Sequence, residues 1–305
     1  DGFRFDLATA LGRGEHDFES TSELFQSIER DPILGQCKLI AEPWDLGPDG
    51  YRLGGFPPQW AEWNDRFRDS VRRVWRGEPG QMPEFARRLH GSAELFDVED
   101  RGPLASLNFV TSHDGFTLLD VVSYAERHND ANGEENRDGH HGNLSFNHGV
   151  EGATTDSGIG SARDRARRNI LTSLFLSQGT PMLLSGDEIG RTQNGNNNAY
   201  CQDNETSWLD WTRVGHDQEW EAFVRRLISL RAAEPVLRRG CYVHGSCGAG
   251  SGGWPDIMWL SPQGGEMTEG EWEDSHASCI GLILSGPIQA DVAYAGGSEV
   301  LLIIF

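Results

Sequence analysis

Short apolar runs that end on a charged residue alternate along this chain with segments of helical periodicity. Residues 2–5, 37–41, 107–111 and 180–185 read as strands, each too short and too β-rich for a helix. A helix begins near Ser20, with Ser20 and Glu23 spaced as a capping box and Pro32 as its stop. The segment 65–75 places Phe67, Val71, Val74 and Trp75 on one helical face. A further helix over 163–178 would bury Ala166, Ile170, Leu171, Leu174 and Phe175, and a last one carries Trp220, Phe223, Val224, Leu227 and Ile228 before Pro235. Strands alternating with helices predict parallel βα units, hence an α/β fold. Near Gly240 the pattern changes. A glycine-rich turn over 245–253 precedes three β-type runs, 256–260, 279–284 and 299–305, with no helix between them. The expected organisation is about half a (β/α) barrel or slightly more over residues 1–239, then an incomplete all-β domain over 240–305.

A chain of 305 residues with 37% hydrophobic positions, 10 Trp and 14 Phe can bury a sizeable core. Its formal net charge of -21 excludes nucleic acid and acidic membrane surfaces as partners, because both are bound through Lys and Arg. A neutral glucan is indifferent to that charge. Cys37, Cys201, Cys241, Cys247 and Cys279 are odd in number and form no CxxC pair, so neither a zinc site nor a disulfide framework is expected. A reducing, cytoplasmic location fits best. No stretch reaches membrane-helix length and no signal peptide is visible. The chain opens on a strand motif without Met and stops inside an apolar run, so it is expected to be a piece of a larger protein.

Three strings put charge where a strand should end: DGFRFDLA, KLIAEPWD and NFVTSHDGF. Carboxylates at the C-terminal ends of barrel strands are how such a fold builds an active site. Arg4 and Asp6, two apart on one strand, share a face, and the cation favours an ionised Asp6, as a nucleophile requires. Glu42 sits between an apolar run and Pro43-Trp44, a setting that favours the protonated form a general acid needs. The two are 36 residues apart in sequence (42 − 6), about one βαβ repeat, which predicts neighbouring strands. A retaining glycosidase holds two such carboxyls about 5–5.5 Å apart. His113 and Asp114 end the third string and are suited to holding sugar hydroxyls.

These strings resemble the second, third and fourth signature regions of the α-amylase superfamily of glycoside hydrolases. The wider wording, including GPDGYRLGGFPPQWAEWNDRFRDS, NGEENRDG and GNNNAYCQDNETSWLDW, is similar to bacterial glycogen debranching enzymes of the GlgX and isoamylase type. The resemblance implies Asp6 as nucleophile, Glu42 as general acid/base and Asp114 as transition-state stabiliser, with Arg4 and His113 supporting the sugar site. It implies hydrolysis of α-1,6-glucosidic branch points in glycogen or limit dextrin; the residues themselves lead to no expected cofactor and no metal ligand set. It also implies a (β/α)8 TIM barrel represented here by about strands four to eight. The first signature region and three strands would lie before Asp1, so the chain itself is expected to hydrolyse little. Gly55 stands where the family pattern has Asn. The alternatives are an α-1,4-glucan hydrolase, a glucan-transferring enzyme, or a carbohydrate-binding relative without activity.

Aromatic rings stack on sugars, which makes Trp44, Tyr51 and Phe56 candidate subsite residues, as are Tyr200, Trp208 and Trp211. Core packing is the competing role for each. Asp130, Asn132, Glu134, Asn136 and Asp138 alternate like calcium ligands, but Glu135 occupies the position an EF-hand needs as Gly. That stretch, with His140, His141 and His148, reads as a solvated acidic loop. Asp187 and Glu188 form a rival carboxylate pair, assigned by the resemblance to loop positioning. Arg163, Arg165, Arg167 and Arg168 read as a solvated helix face.

Overall fold

A computed structural model describes residues 1–15, 17–98, 101–246, 253–286 and 300–305. The glycine-rich turn expected over 245–253 and Cys247 fall largely outside the described residues. Residues 2–182 build a five-stranded, all-parallel sheet in the order β1-β2-β3-β4-β5. Its strands are β1 (Gly2–Phe5), β2 (Lys38–Ala41), β3 (Trp60–Asn64), β4 (Ser106–Phe109) and β5 (Thr180–Met182). The helices around it are α1 (Glu23–Arg30), α2 (Asp65–Trp75), α3 (Met82–Leu89), α4 (Ala93–Phe96), α5 (Leu118–Val121), α6 (Ser157–Leu176) and α7 (Gln218–Ala233).

Alternation of side chains sorts the sheet into two faces. One face turns Leu39, Ala41 and Trp60 toward α1, where Phe25 and Ile28 close the cluster. The same face carries Asn64, Ser106 and Asn108, which satisfy one another and Ser92 and Ser177 through buried hydrogen bonds. The opposite face gathers Ile40, Trp63, Leu107, Phe109 and Met182, with Trp44 against them. This is the face that a closed barrel turns inward. The main core lies between α2, α3, α6 and α7 and centres on Phe67, Phe85, Leu171, Leu174 and Trp220.

The strand β3 was not expected. Its WAEWN string breaks apolar alternation with Glu62, which is fully buried and paired to Arg101 at 2.7 Å. With β3 present, helix 65–75 follows it directly, and β2 connects to β3 through the irregular loop 42–59 rather than a helix. The proposed cap at Ser20 is replaced. The α1 helix starts at Glu23 with Ser22 at its N-cap, and Ser22 makes no side-chain capping bond. The α6 helix begins six residues earlier than expected because Asp156 caps it, accepting from Gly158 and Ile159. Gly179 precedes β5 at φ +108°, where a Cβ would lie 2.7 Å from the Asn108 amide, so the break before Thr180-Pro181 requires glycine.

A second, antiparallel sheet contains β6 (Ile257–Leu260), β7 (Gly281–Ser285) and β8 (Val300–Ile304) in that order. A short helix, α8 (Glu269–Glu273), separates β6 from β7, contrary to the expected helix-free run; Thr268 and Glu271 form its capping box. This sheet packs on the end of α6 and the segment after α7 through Leu176, Val236, Leu237 and Val243. No helix among the described residues is long and apolar enough to cross a membrane.

Candidate active site

The parallel register pairs Phe5 with Ala41, so Asp6 and Glu42 emerge together from the C-terminal ends of adjacent strands. Both lie on the face shared by Arg4, Ile40 and Trp63. Arg4 binds them at once, with Nη1 2.8 Å from Asp6 Oδ1 and Nη2 3.1 Å from Glu42 Oε1. The two carboxyls differ in setting. The Asp6 side chain is 69% exposed, that of Glu42 6%.

Burial pushes the Glu42 carboxyl above the ordinary glutamate value. The Leu7 N–H and the Arg4 guanidinium pull it down, while the charge of Asp6 and a hydrogen bond with it push it up. The Leu7 contact depends on an unusual backbone. Leu7 is left-handed (φ 45°, ψ 46°), and in that conformation its N–H donates to Glu42 Oε2 at 2.7 Å. A non-glycine residue held there costs about 1–3 kcal/mol. Leu7 therefore belongs to the site, and nothing in its residue type signalled that.

Trp63 joins this pair to the third string. The Arg4 guanidinium lies 4.4 Å above its ring, and His113 meets the ring edge-on at 5.7 Å. His113 Nε2 in turn lies 3.5 Å from Asp114 Oδ2, and both side chains are half-exposed. Trp63 was missed because its strand was missed. The structure thus brings Arg4, Asp6 and Glu42 into direct contact and places His113 and Asp114 across one indole from them.

The loop after Glu42 is firmly tied. Asp45 holds Arg13 at 2.6 Å and accepts from Gly47 N, and Arg13 also donates to Pro48 O. Trp44 is half-buried against the inner-face cluster. Tyr51 is exposed, with its hydroxyl donating to Asp65 Oδ1 at 2.6 Å; burial of that hydroxyl and the Asp65 charge push its pKa up. Phe56 is core, packed on Phe18, Phe25 and Trp60, and is not available to a sugar. Tyr200, Trp208 and Trp211 are exposed.

The stretch 129–143 is not simply solvated. Asn129 and Asn132 lock it to residues 196–202, Asn129 donating to Asn197 and Asn132 accepting from Asn196 and Gln202, while Asn136 and Asp138 accept from Asn129 and Asn132 within the stretch. Among the described residues no group of three or more His, Cys, Asp or Glu side chains converges as metal ligands. Arg163 also departs from expectation. It is buried and donates to the carbonyls of Gly152, Asn147 and Val150, while Arg167 and Arg168 lie over Trp220 and pair with Asp164.

No family model matches the chain. The GlgX homologue of Mycobacterium tuberculosis is 51% identical over 286 residues, 94% of this chain and 40% of that protein. The glycogen debranching enzyme of Erwinia tasmaniensis is 50% identical over 273 residues, 90% of this chain and 40% of that protein. The chain therefore spans about two-fifths of the length of the curated relatives it matches. Among solved structures, pullulanase from Bacillus acidopullulyticus covers the whole chain with 32% of its own length, at a TM-score of 0.66 and 20% identity. Pullulanase type I from Bacillus subtilis, complexed with maltose, does so with 36% of its length, at 0.64 and 22%. That likeness shows the fold, a partial TIM barrel with a β domain behind it. Half-identity over nine-tenths of its own length makes this chain similar to about two-fifths of the GlgX homologue and glycogen debranching enzyme proteins it matches.

Proposed function

We propose that this chain carries the catalytic carboxylates of a retaining glycoside hydrolase that cleaves α-1,6-glucosidic branch points of glycogen or limit dextrin. The observation that carries the reading is the shared guanidinium: Arg4 joins an exposed Asp6 to a buried Glu42, whose carboxyl burial pushes above its ordinary pKa, at the ends of adjacent strands. The names of the relatives, glycogen debranching enzyme and pullulanase, supply the substrate class.

In the proposed reaction the Asp6 carboxylate attacks the anomeric carbon as its bond to the branch oxygen breaks. Glu42 gives its proton to that departing oxygen. Glu42, now ionised, takes a proton from water, the water oxygen bonds the anomeric carbon, and Asp6 leaves. Arg4 suits both states, because it stabilises whichever carboxyl is ionised. Asp114, with His113, would hold the hydroxyls of the distorted ring. Trp44 and Tyr51 are proposed as sugar contacts, Trp44 at the inner wall and Tyr51 at the rim. Residues 1–239 would form the barrel part and 240–305 the β part. A cytoplasmic location is proposed, where glycogen and reduced cysteines coexist.

Incubating the full-length gene product with a branched limit dextrin and with linear maltooligosaccharides tests the assignment. Release of linear chains from the branched substrate alone is expected. Cleavage of the linear substrate alone would overturn it.

A further inference from the structure

The turn between β4 and α5 presents His113 and Asp114 to solvent, yet both of its ends are held by buried charge. At one end Arg72, from α2, donates Nε and Nη2 to the Val110 carbonyl at 3.0 and 2.7 Å, and Nη1 to Asn143 O at 2.7 Å. Asp187, in the turn after β5, grips both ends. Its Oδ2 accepts from Thr111 Oγ1 and its Oδ1 from Leu118 N at 3.0 Å. Residues 111 and 118 are thus fixed to the two oxygens of one carboxyl, with Asp114 between them. The Asp187 backbone is anchored in turn, its carbonyl accepting from Trp220 Nε1 of α7 at 2.9 Å. Asp187 is 1% exposed and Arg72 6%.

An ionisable group buried without an ion-pair partner costs stability. Among the described residues Asp187 and Arg72 have no salt-bridge partner, so their cost is offset by hydrogen bonds, to Thr111 Oγ1 and Leu118 N for Asp187 and to the Val110 and Asn143 carbonyls for Arg72. That turn carries the third carboxylate of the proposed site.

We propose that Asp187 is a positioning residue for Asp114, a buried clasp that sets the span and height of the 111–118 turn relative to Asp6 and Glu42. This rests on the reading of Asp114 as the group that holds the reacting sugar. Burial also pushes the Asp187 carboxyl up to about 7, with the charges of Asp120 on α5 and Glu188 beside it adding to the rise and its bonds from Thr111 and Leu118 opposing it. Arg72 faces it from α2. The clasp is therefore expected to feel pH near neutrality.

The test compares Asp187→Asn, Thr111→Val and Asp114→Asn in the full-length gene product acting on branched limit dextrin. Asp187→Asn keeps the volume and loses one acceptor; Thr111→Val keeps the carboxyl and its Leu118 bond. Both are expected to remain cooperatively folded at the assay pH and to keep KM while kcat falls on the order of 10²-fold, as for a small misplacement of a reacting group. Asp187→Asn should also lose the component of the pH–kcat profile near 7, which Thr111→Val retains. Wild-type kcat in both folded variants, or a loss of kcat matched by loss of folded protein, would overturn the proposal. If Asp187→Asn does not fold, Thr111→Val decides alone. Full activity in Asp114→Asn would instead remove the role of Asp114; an inactive Asp114→Asn beside normal clasp variants removes only the clasp.

Discussion

Replacing Arg4 by Met should unbalance the two carboxyls in a direction the structure fixes. Arg4 donates to Asp6 at 2.8 Å and lies 3.1 Å from Glu42, with its side chain 27% exposed. Its charge opposes the burial that raises Glu42, so removing it lets the Glu42 carboxyl rise further. An opposite charge at such range favours the ionised form of a carboxyl. The alkaline limb of kcat/KM, where the general acid loses its proton, should therefore move to higher pH. Losing one charge-assisted hydrogen bond costs about 1.5–3 kcal/mol, so kcat/KM at its optimum should fall about 10- to 150-fold. The assay is a pH–rate series on branched dextrin with the full-length gene product, wild type against Arg4→Met. An alkaline limb that stays put, or moves to lower pH, would refute the assignment of Glu42 as the group Arg4 restrains.

Further outcomes follow from individual contacts. Arg101→Met leaves Glu62 buried and unpaired inside β3 and should destabilise by about 3–5 kcal/mol in urea unfolding, whereas an effect below about 1 kcal/mol would show the pair to be dispensable. Tyr51→Phe removes only the bond to Asp65 and should leave KM unchanged, while Tyr51→Ala should raise it; equal KM in both variants would exclude the ring from the substrate path. Burial pushes the folded Asp187 carboxyl up to about 7, while the unfolded one keeps the ordinary aspartate value of 3.8. The native state then binds the extra proton between those values, and wild-type stability from this group is lost as pH rises from about 4 to about 7. The melting temperature of Asp187→Asn minus that of wild type should increase from pH 5 to pH 8, and a constant difference would contradict the raised value.

Legibility in the sequence followed the physics of each element. The strands β1, β2, β4 and β5 were readable because compact apolar runs end in turn-forming or charged residues. The chemistry was readable where it lies next to those runs, as with Arg4, Asp6 and Glu42. The strand β3 was hidden because a strand's apolar signature fails when one buried position is Glu62, whose partner Arg101 is 39 residues away. Trp63 was lost with it, and so was the bridge between Arg4 and His113. The Arg163 guanidinium looked solvated because helical periodicity says nothing about a loop folding back to offer carbonyls. Leu7 entered the site through its backbone dihedrals, which residue type alone does not encode.

The division of labour between residues 6 and 42 can be read most directly by trapping. In Glu42→Gln of the full-length gene product, an α-maltosyl fluoride needs no acid for departure, while no base remains to activate water. A covalent glycosyl adduct is expected by mass spectrometry on the peptide containing Asp6. An adduct on any other carboxylate, or none under conditions where the wild type turns the fluoride over, would contradict it.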